Sequence, residues 1–583
     1  MQVVLERHQD KISVSAAYSD NDDVRQLPHA HWSNSTGWEA TLSWNTCVMA
    51  REIFGDRLII GPELTRWAQE LKSTKITPAL MWRDATDAPG SPQLLRHQRA
   101  GQAQALLQLG LLVGDEMGTG KTMLAAATVS GNAEYLPALV VCPASVSHQW
   151  AATFEQLQVP TTVIRGSAAQ RKKLLESVPT DGAAIISFES ARTMTRLAAY
   201  GSTKLKRCPD CGGSDSARSC QVHSRELNEV LWHSLVVDEA HRIKDPHAQQ
   251  TRAVWALADS SSLKLRLALT GTPVSESLAD LWSVLRACAP TEFATRSKFI
   301  DFFADTHWNP FGGLEIGGVR EARRDVFERA VLPFTRRVMR KDVIDLPPRV
   351  WETREVEMSL PQQKVYTVLR DKFIAELESG ELMIANALAR QTRLLQAASA
   401  TLDVSASGEE LSAVQLREPS CKIDELAAIV PELGDSQFVV CTAHRQLAHF
   451  AVSKLESMGV TVGAYTGALS QQERELTKKM FQAGELQALV FTIKAGGTGL
   501  DLPQAQVMIR LQRSWSAIED QQTVDRVYRI GSERHDRVVI IDVVTAGTIE
   551  RAQLHILQRK RELLTSVFRD RALLMRVAAG ECV

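Results

Sequence analysis

The chain has 583 residues, which is enough for about three or four domains of ordinary size. Its 67 basic and 68 acidic side chains leave a formal charge of −1, which excludes an overall basic field for a polyanionic partner. Charges come early in the sequence, and no uncharged apolar run approaches the about 20 residues of a membrane helix. The nine cysteines are mostly scattered, which suits a reducing compartment. We therefore expect a cytoplasmic protein with no membrane partner, in which any nucleic-acid surface is local.

The first ninety residues (1–90) predict a small α+β unit. A strand is expected at 12–18, a short helix begins near Asn21, and a hairpin surrounds Gly37. A second helix is expected from Asn45. Three tryptophans lie along the hairpin and either form a core or serve a binding surface: Trp32, Trp38 and Trp44.

Two sets of apolar, β-branched runs alternate with helical patterns, as is typical of buried parallel strands. The first set lies at 109–116, 138–145, 182–189, 235–239 and 265–273. The second set lies at 437–444, 462–467, 486–492, 505–512 and 536–544. They predict two doubly wound lobes, 91–290 and 421–550. Residues 291–420 predict a mostly helical region followed by an exposed linker, and 551–583 predict a C-terminal helix.

A glycine-rich stretch, "VGDEMGTGKTM", lies between a predicted strand and a predicted helix. Its glycines let backbone N–H groups turn towards phosphate oxygens, Lys121 supplies a charge, and Thr122 is placed to hold Mg²⁺. Asp115 stands where the strict phosphate-loop motif has its first glycine, so the motif alone is only moderately specific. The alternative is a glycine-rich turn with a solvated lysine. The position before a helix favours a nucleotide site.

An acidic pair ends the predicted strand in "LVVDEAHRIKD". At the end of a neighbouring strand, Asp238 can hold Mg²⁺ through water, and Glu239 can orient an attacking water. A capping Asp-Glu pair beside a core histidine is the alternative. The glycine loop upstream, at a separation typical of two-lobed nucleic-acid motors, favours the catalytic interpretation.

Several motifs now follow one another in the order of a known family. "LLRHQRAG", "DEMGTGKT", "DEAHRIKD", "LALTGTPVSESLADLWSVLR", "AGGTGLDL" and "QQTVDRVYRIGSERHDRV" resemble those of a SWI/SNF-type ATPase of helicase superfamily two, a group in which a DEAH box is found. The resemblance implies an α/β fold of two tandem RecA-like, doubly wound parallel-sheet lobes with helical insertions. The first ninety residues resemble, weakly, the HARP domain of annealing helicases, where such a unit assists binding of branched DNA.

The resemblance also implies roles for individual residues. Gln98 would contact the adenine of ATP, and Arg526 and Arg529 would reach the γ-phosphate as arginine fingers. The residues that would surround the phosphates are Asp115, Glu116, Met117, Gly118, Thr119, Gly120, Lys121 and Thr122. The catalytic set would be Lys121, Asp238, Glu239, Arg526 and Arg529, with Thr122 and Asp238 at the magnesium ion.

The same resemblance implies a nucleic-acid track. Expected phosphate contacts are Ser145, Ser187, Thr442, Thr466 and Lys494, with basic support from Arg336, Arg337, Arg340 and Lys341. A solvated helix face is an equal alternative for the last four. The implied activity is that of a monomeric, ATP-dependent translocase on duplex or branched DNA of any sequence, which remodels or reanneals DNA or protein–DNA complexes. A strand-separating DNA or RNA helicase, or a nucleotide-dependent DNA clamp, remains an alternative.

A cysteine cluster lies apart from these motifs, in a predicted insertion at 205–225. "RCPDCGGSDSARSCQVH" spaces two pairs of soft ligands as a small zinc-binding insertion would: Cys208, Cys211, Cys220 and His223. A reduced loop that contains cysteines is the alternative. We expect ATP, Mg²⁺ and Zn²⁺ as cofactors.

Overall fold

The computed structural model describes residues 2–34, 36–91, 93–195, 226–272, 277–308, 314–378, 384–403, 415–496, 500–529, 531–554 and 557. The described residues divide into two compact units, the first within 1–343 and the second within 344–562. No helix in these described stretches is both long and apolar enough to span a bilayer.

The first unit begins with a five-stranded mixed sheet. In spatial order its strands are His31–Ser33, Gly37–Thr41, Lys11–Ser15, Val3–His8 and Leu58–Ile60. The accompanying helices are Asn21–Val24, Trp44–Phe54, Pro62–Leu71 and Thr77–Asp84. Trp38 is buried in the core of this sheet, whereas Trp32 is 61% exposed and meets Trp38 edge to face. The tryptophans therefore divide between core and surface.

A seven-stranded parallel sheet forms the centre of the first RecA-like lobe. In spatial order its strands are Thr335–Arg336, Gly110–Val113, Leu265–Leu269, Ser234–Asp238, Ala138–Cys142, Ala183–Ser187 and Thr161–Ile164. Its main helices are Arg96–Gln108, Lys121–Ser130, Ser147–Gln156, Ala168–Glu176, Phe188–Met194, Gln249–Ala258 and Leu278–Cys288. All five predicted strands are confirmed, and two edge strands were not predicted.

Both faces of this sheet are covered, which explains the continuous apolar runs. In the strand Ser234–Asp238, Leu235 and Val237 pack into one core cluster, while Val236 packs into the cluster on the opposite face. Since side chains alternate across a strand, a strand buried on both faces needs apolar residues at successive positions. Each fully buried side chain of this kind contributes about 1.5–3 kcal/mol to folding.

The segment after the last helix of the lobe mixes helix and strand. It contains the helices Arg296–Phe303 and Arg324–Val331 and an antiparallel pair, Ala304–Trp308 with Leu314–Val319. The prediction of a mostly helical region is therefore only half correct here. A phenylalanine cluster joins these helices to the residues just before them, and its members Phe293, Phe299 and Phe327 are buried.

The second unit holds a six-stranded parallel sheet, the second RecA-like lobe. Its strands in spatial order are Arg349–Val356, Val538–Thr545, Val507–Arg510, Phe438–Thr442, Ala488–Thr492 and Val462–Tyr465. The helices of the unit are Leu360–Glu378, Ile384–Ser399, Cys421–Ile429, Arg445–Ser457, Gln471–Gln482, Ile493–Gly496 and Ala517–Val524. All five strands predicted for this lobe are confirmed. The strand Arg349–Val356 was missed because "RVWETREV" is rich in charge and lies at the sheet edge.

The described residues of the predicted linker include an antiparallel strand pair, Thr401–Asp403 with Gln415–Arg417. A buried lysine stabilises the second unit nearby: Lys422 Nζ donates to the Glu550 carboxylate at 2.6 Å and to the Val543 carbonyl at 2.9 Å. The predicted C-terminal helix lies almost wholly outside the described residues.

Within the first unit, the N-terminal sheet and the RecA-like lobe meet through Glu292. Its carboxylate accepts the backbone N–H groups of Trp44 at 3.1 Å and Asn45 at 2.9 Å, at the start of the helix Trp44–Phe54. The same helix contributes Trp44 Nε1, which donates to the Arg329 carbonyl at 2.8 Å. Burial raises the pKa of Glu292 from 4.5 to about 7, although these bonds act to lower it.

We expect Glu292→Gln to abolish a decrease in the free energy of unfolding that the wild type shows as pH rises. Because the pKa of Glu292 is higher in the folded than in the unfolded chain, its contribution is fully present below pH 4.5 and is lost as pH rises to about 7. The wild-type free energy of unfolding, relative to the variant, should fall by about 3 kcal/mol across that window. Urea denaturation at pH 4.5 and pH 7.5 measures it. Glu321→Gln, at an exposed glutamate of the same segment, is the control, and parallel pH curves for wild type and Glu292→Gln would contradict the prediction.

Candidate active site

The glycine-rich loop follows the strand Gly110–Val113 and opens the helix Lys121–Ser130, as predicted. Gly118 and Gly120 both have φ of +80°, a conformation that favours glycine. A Cβ on Gly120 would lie 2.2 Å from Gln98 Nε2, so no other residue fits without displacing that side chain. Among the described residues no side chain caps this helix, and its first N–H groups are left for a phosphate.

Lys121 lies at the first position of that helix. Its Nζ donates to the carbonyl of Asp115 at 2.8 Å and to that of Glu116 at 3.1 Å. Burial lowers the pKa of the Lys121 ammonium, while the nearby carboxylates of Glu239, Asp115 and Asp238 oppose that effect. The cation is thus held against the loop by neutral carbonyls, which a phosphate oxygen could replace.

Gln98 supports the loop from the neighbouring helix. Its Nε2 donates to the carbonyls of Thr119 at 3.1 Å and Gly120 at 3.2 Å, and its Oε1 accepts the N–H of Leu95 at 2.9 Å. His97 Nε2 also lies 2.8 Å from the Thr119 carbonyl. The amide therefore fixes the loop conformation, and the adenine contact of Gln98 stays a prediction. The sequence analysis did not predict this contact of His97, and its position next to Gln98 was the one available signal.

The acidic side chains of the loop bind the segment 335–340. Asp115 Oδ1 accepts the N–H of Val338 at 2.9 Å, and Asp115 Oδ2 lies 3.4 Å from Arg336 Nε. Glu116 accepts the N–H of Arg340 at 2.8 Å and lies 3.3 Å from its guanidinium. Asp115 and Glu116 therefore shape the loop through their side chains, and their contact with nucleotide stays a prediction.

Three of the four cations predicted to support DNA binding instead bond to the glycine-rich loop or to residues packed beside it. Arg336 is 0% exposed, and its guanidinium donates to the carbonyls of Trp82 at 2.7 Å and His97 at 2.9 Å. Arg340 is 1% exposed, and Arg337 donates to the carbonyls of Gly114 and Gly271. The prediction of a basic surface at Arg336, Arg337 and Arg340 is wrong, because these side chains satisfy buried carbonyls and carboxylates. Lys341 is exposed.

We expect Arg336→Gln to lower the free energy of unfolding by about 3–5 kcal/mol, because it leaves the buried Asp115 carboxylate without its cation. The change at exposed Lys341→Gln should stay within about 0.5 kcal/mol. Urea denaturation of both variants gives the comparison. Equal stability of the two variants would contradict the buried structural role of Arg336 and favour a surface role.

The acidic pair lies at the carboxyl end of the strand Ser234–Asp238. Asp238 Oδ1 accepts the N–H of Glu239 at 2.9 Å, and Asp238 Oδ2 accepts the indole N–H of Trp150 at 2.8 Å. Burial, and then the charge of the neighbouring Glu239, raises the pKa of Asp238. The sequence analysis gave Trp150 no role of its own, because its partner Asp238 lies 88 residues further along the chain.

Glu239 has φ of +49°, which is rare for a residue with a side chain. Such strain costs about 1–3 kcal/mol and is concentrated at functional sites. Its carboxylate lies 3.3 Å from His241 Nδ1, which in turn lies 3.3 Å from Thr270 Oγ1. Thr270 begins the "TGT" segment, and Gly271 packs so tightly on Met117 that a Cβ there would lie 2.5 Å from Met117 Cγ.

The structure thus gathers the loop, the acidic pair and the "TGT" segment at one edge of a sheet. The strands that precede them are adjacent and parallel, so their carboxyl ends lie side by side. A lysine at an uncapped helix N-terminus suits a triphosphate, and the oxygen atoms of the nearby hydroxyl and carboxylate suit Mg²⁺. Thr122 and Asp238 would hold the ion. These residues fit Mg²⁺ and ATP.

The two predicted arginine fingers lie in the second unit. Arg526 is 7% exposed, with Nη1 3.5 Å from the carbonyl of Leu500, and Arg529 forms an ion pair with Asp501. The preceding helix, Ala517–Val524, is anchored by Asp520, which accepts from Arg510 at 2.9 Å. Arg510 also bonds Asp542 on the adjacent strand. Both arginines are therefore held on an ordered part of that unit.

The predicted phosphate contacts differ in exposure. Ser145 and Lys494 are exposed, and Ser187 is half-buried. Thr442 is buried, and its hydroxyl donates to Gln512 Oε1 at 2.6 Å, so its predicted phosphate contact is wrong in this conformation. Thr466 is also buried.

The predicted zinc ligands Cys208, Cys211, Cys220 and His223 lie outside the described residues, so the zinc site stays a prediction. Within the described part of the chain, no three His, Cys, Asp or Glu side chains are grouped to hold a metal ion.

Comparison with known proteins gives the class. The SNF2-related domain matches residues 25–401, and the helicase conserved C-terminal domain matches residues 421–531. The first match alone covers more than half of the chain. The chain therefore belongs to the SNF2-related family, and it has the two domains of an ATPase of helicase superfamily two.

Two curated relatives illustrate the likeness. A Bacillus subtilis protein assigned as an ATP-dependent helicase/translocase, YwqA, is 26% identical over 470 residues, which are 78% of this chain and 46% of YwqA. The TATA-binding protein-associated factor MOT1 of Saccharomyces cerevisiae is 23% identical over 521 residues, 78% of this chain and 26% of MOT1. The chain thus spans less than half the length of these relatives. A solved Sulfolobus solfataricus SWI2/SNF2 ATPase core in complex with dsDNA is 23% identical, with a TM-score of 0.35, over 83% of this chain and 94% of that one.

Proposed function

We propose that the protein hydrolyses ATP and uses the energy to move along duplex or branched DNA, so that it remodels or reanneals DNA or protein–DNA complexes without separating strands. The observation that carries this proposal is the convergence of Lys121, Asp238 and Glu239 at one sheet edge. The exposure of Ser145 and Lys494 beside strand ends supports a sequence-independent grip on phosphates.

In this proposal each residue has a defined task. Lys121 exchanges its bonds to the loop carbonyls for bonds to the β- and γ-phosphates, and the first N–H groups of its helix donate to phosphate oxygens. Bound Mg²⁺ would neutralise charge on the phosphates. Glu239 orients the attacking water and accepts its proton. Arg526 and Arg529 of the second unit stabilise the charge that develops on the γ-phosphate.

Steady-state ATP hydrolysis with no nucleic acid, single strands, duplex DNA, forked DNA and RNA in parallel tests the proposal. We expect duplex or forked DNA to stimulate hydrolysis most, and the stimulation to fall steeply with added salt because phosphate contacts release counterions. The protein should displace a third strand from a triplex and leave a simple duplex intact. Unwinding of a tailed duplex, or stimulation by RNA alone, would favour a strand-separating helicase. Nucleotide binding with negligible turnover would favour a clamp.

We further propose that the insertion at 205–225 holds one zinc ion through Cys208, Cys211, Cys220 and His223. Protein purified without chelators should contain about one zinc per chain, and replacing Cys208 and Cys211 by serine should release it, because a tetrahedral site seldom survives the loss of two ligands. Metal analysis that finds no zinc in the wild type would contradict this site.

A further inference from the structure

One buried tryptophan links an exposed helix start to the acidic pair. Trp150 lies on the helix Ser147–Gln156 and is 0% exposed, although the residues just before it are partly or largely exposed. Its ring packs on Phe154, one helical turn further on, with 5.9 Å between the ring centroids. The indole ring is therefore fixed by packing, and its N–H direction is fixed with it.

That N–H group donates a hydrogen bond to Asp238. The indole Nε1 donates to Asp238 Oδ2 at 2.8 Å, and the backbone N–H of Glu239 donates to Asp238 Oδ1 at 2.9 Å. Each carboxylate oxygen has two lone-pair directions, and one on each oxygen is now used. The plane of the carboxylate is thus set by two donors on different elements, and its remaining lone pairs keep one orientation.

The helix of Trp150 also begins next to a proposed DNA contact. Ser145 lies in the short turn Ala144–Val146, directly before the helix, and is exposed. The turn follows the strand Ala138–Cys142, which pairs in parallel with the strand that ends in Asp238. The exposed turn therefore lies directly before the helix whose Trp150 bonds to Asp238.

We propose that Trp150 is a positioning residue for the Asp238 carboxylate. The inference rests on the proposed function. Partners that orient a metal-binding side chain typically account for 10- to 100-fold in metal affinity or activity. The indole N–H thus sets the orientation of the Asp238 carboxylate, which apolar packing alone would not do.

The test is Trp150→Phe in the full chain, which keeps an aromatic ring against Phe154 and removes only the N–H donor. We expect the Mg²⁺ concentration for half-maximal binding of a fluorescent ADP analogue to rise about tenfold. Binding of the same analogue in EDTA should be unchanged, because the phosphate loop is untouched. At saturating Mg²⁺ the KM for ATP should stay near the wild-type value, while duplex-stimulated kcat falls.

Trp255→Phe is the matched control, because Trp255 is also buried in this lobe and donates its indole N–H to the Ser283 carbonyl at 3.0 Å. It should lower the melting temperature to a similar extent and leave the Mg²⁺ titration on the wild-type curve. A wild-type Mg²⁺ titration in Trp150→Phe would overturn the proposal and leave Trp150 a core residue.

Phe154→Leu provides a second variant in case Trp150→Phe does not fold. It keeps the indole donor but loosens the ring, so we expect a smaller rise in the Mg²⁺ requirement, and no rise would overturn the proposal. If the wild type itself binds no Mg²⁺–nucleotide, the proposed function fails. If the wild type binds it and both variants titrate like it, only the role of Trp150 fails.

Discussion

Glu239→Gln is expected to lower ATP turnover by about 10²- to 10⁴-fold while ATP binding persists. The amide has the size of the carboxylate but cannot accept the proton of the attacking water. Steady-state hydrolysis, combined with binding of a fluorescent ATP analogue, measures the two properties separately.

Lys121→Ala is the companion variant and should lose both properties, since it removes the cation that meets the phosphates. The contrast between the two variants distinguishes the water-orienting group from the binding group. Turnover of Glu239→Gln at the wild-type rate would contradict the assignment of the acidic pair and favour a nucleotide-dependent clamp.

Arg529→Ala should lower turnover by about 10³- to 10⁵-fold, which is the usual contribution of an arginine finger, with little effect on ATP binding. Arg529→Lys should remain slow, because lysine lacks the planar fork that meets two phosphate oxygens. Single-turnover hydrolysis at saturating ATP measures the effect on the chemical step.

Because Arg529 is paired with Asp501, a structural role must be separated from a catalytic one. Asp501→Asn removes the charge of that partner and leaves the arginine. Retained turnover in Asp501→Asn, beside its loss in Arg529→Ala, supports the finger. Matching losses of turnover and of melting temperature in both variants would show instead that the ion pair serves the fold of the second unit.

The ten strands predicted for the two lobes are confirmed. Strands that are buried on both faces of a sheet have unbroken apolar runs in the sequence, as in "SLVVD" and "FVVCT". The strands that were missed in the two lobes lie at sheet edges, whereas the missed strand Val3–His8 lies inside the N-terminal sheet. Thr335–Arg336 has only two residues, and Arg349–Val356 alternates charge with apolar residues along a largely exposed surface. Local pattern carries little information at such positions, because pairing with one neighbour is what makes them strands.

The candidate site was predictable where one short segment contains the chemistry, as with Lys121 and the Asp238–Glu239 pair. It was not predictable where a side chain is explained by distant partners. Arg336 and Arg340 look like a surface cluster in "RRVMRK", and only the fold brings them the carbonyls and carboxylates that occupy them. Trp150 likewise gains its meaning from an aspartate 88 residues away.

The carbonyl groups gathered by Arg336 have a consequence for how the chain can be dissected. Trp82 and Arg83 belong to the N-terminal segment, whereas His97 and Asp115 belong to the lobe that follows. A truncation that removes the first ninety residues would strip a fully buried cation of acceptors that no water could easily replace. The first RecA-like lobe therefore depends on the N-terminal segment for its stability. A fragment without that segment would lose the structure of its glycine-rich loop, although the loop itself is not removed.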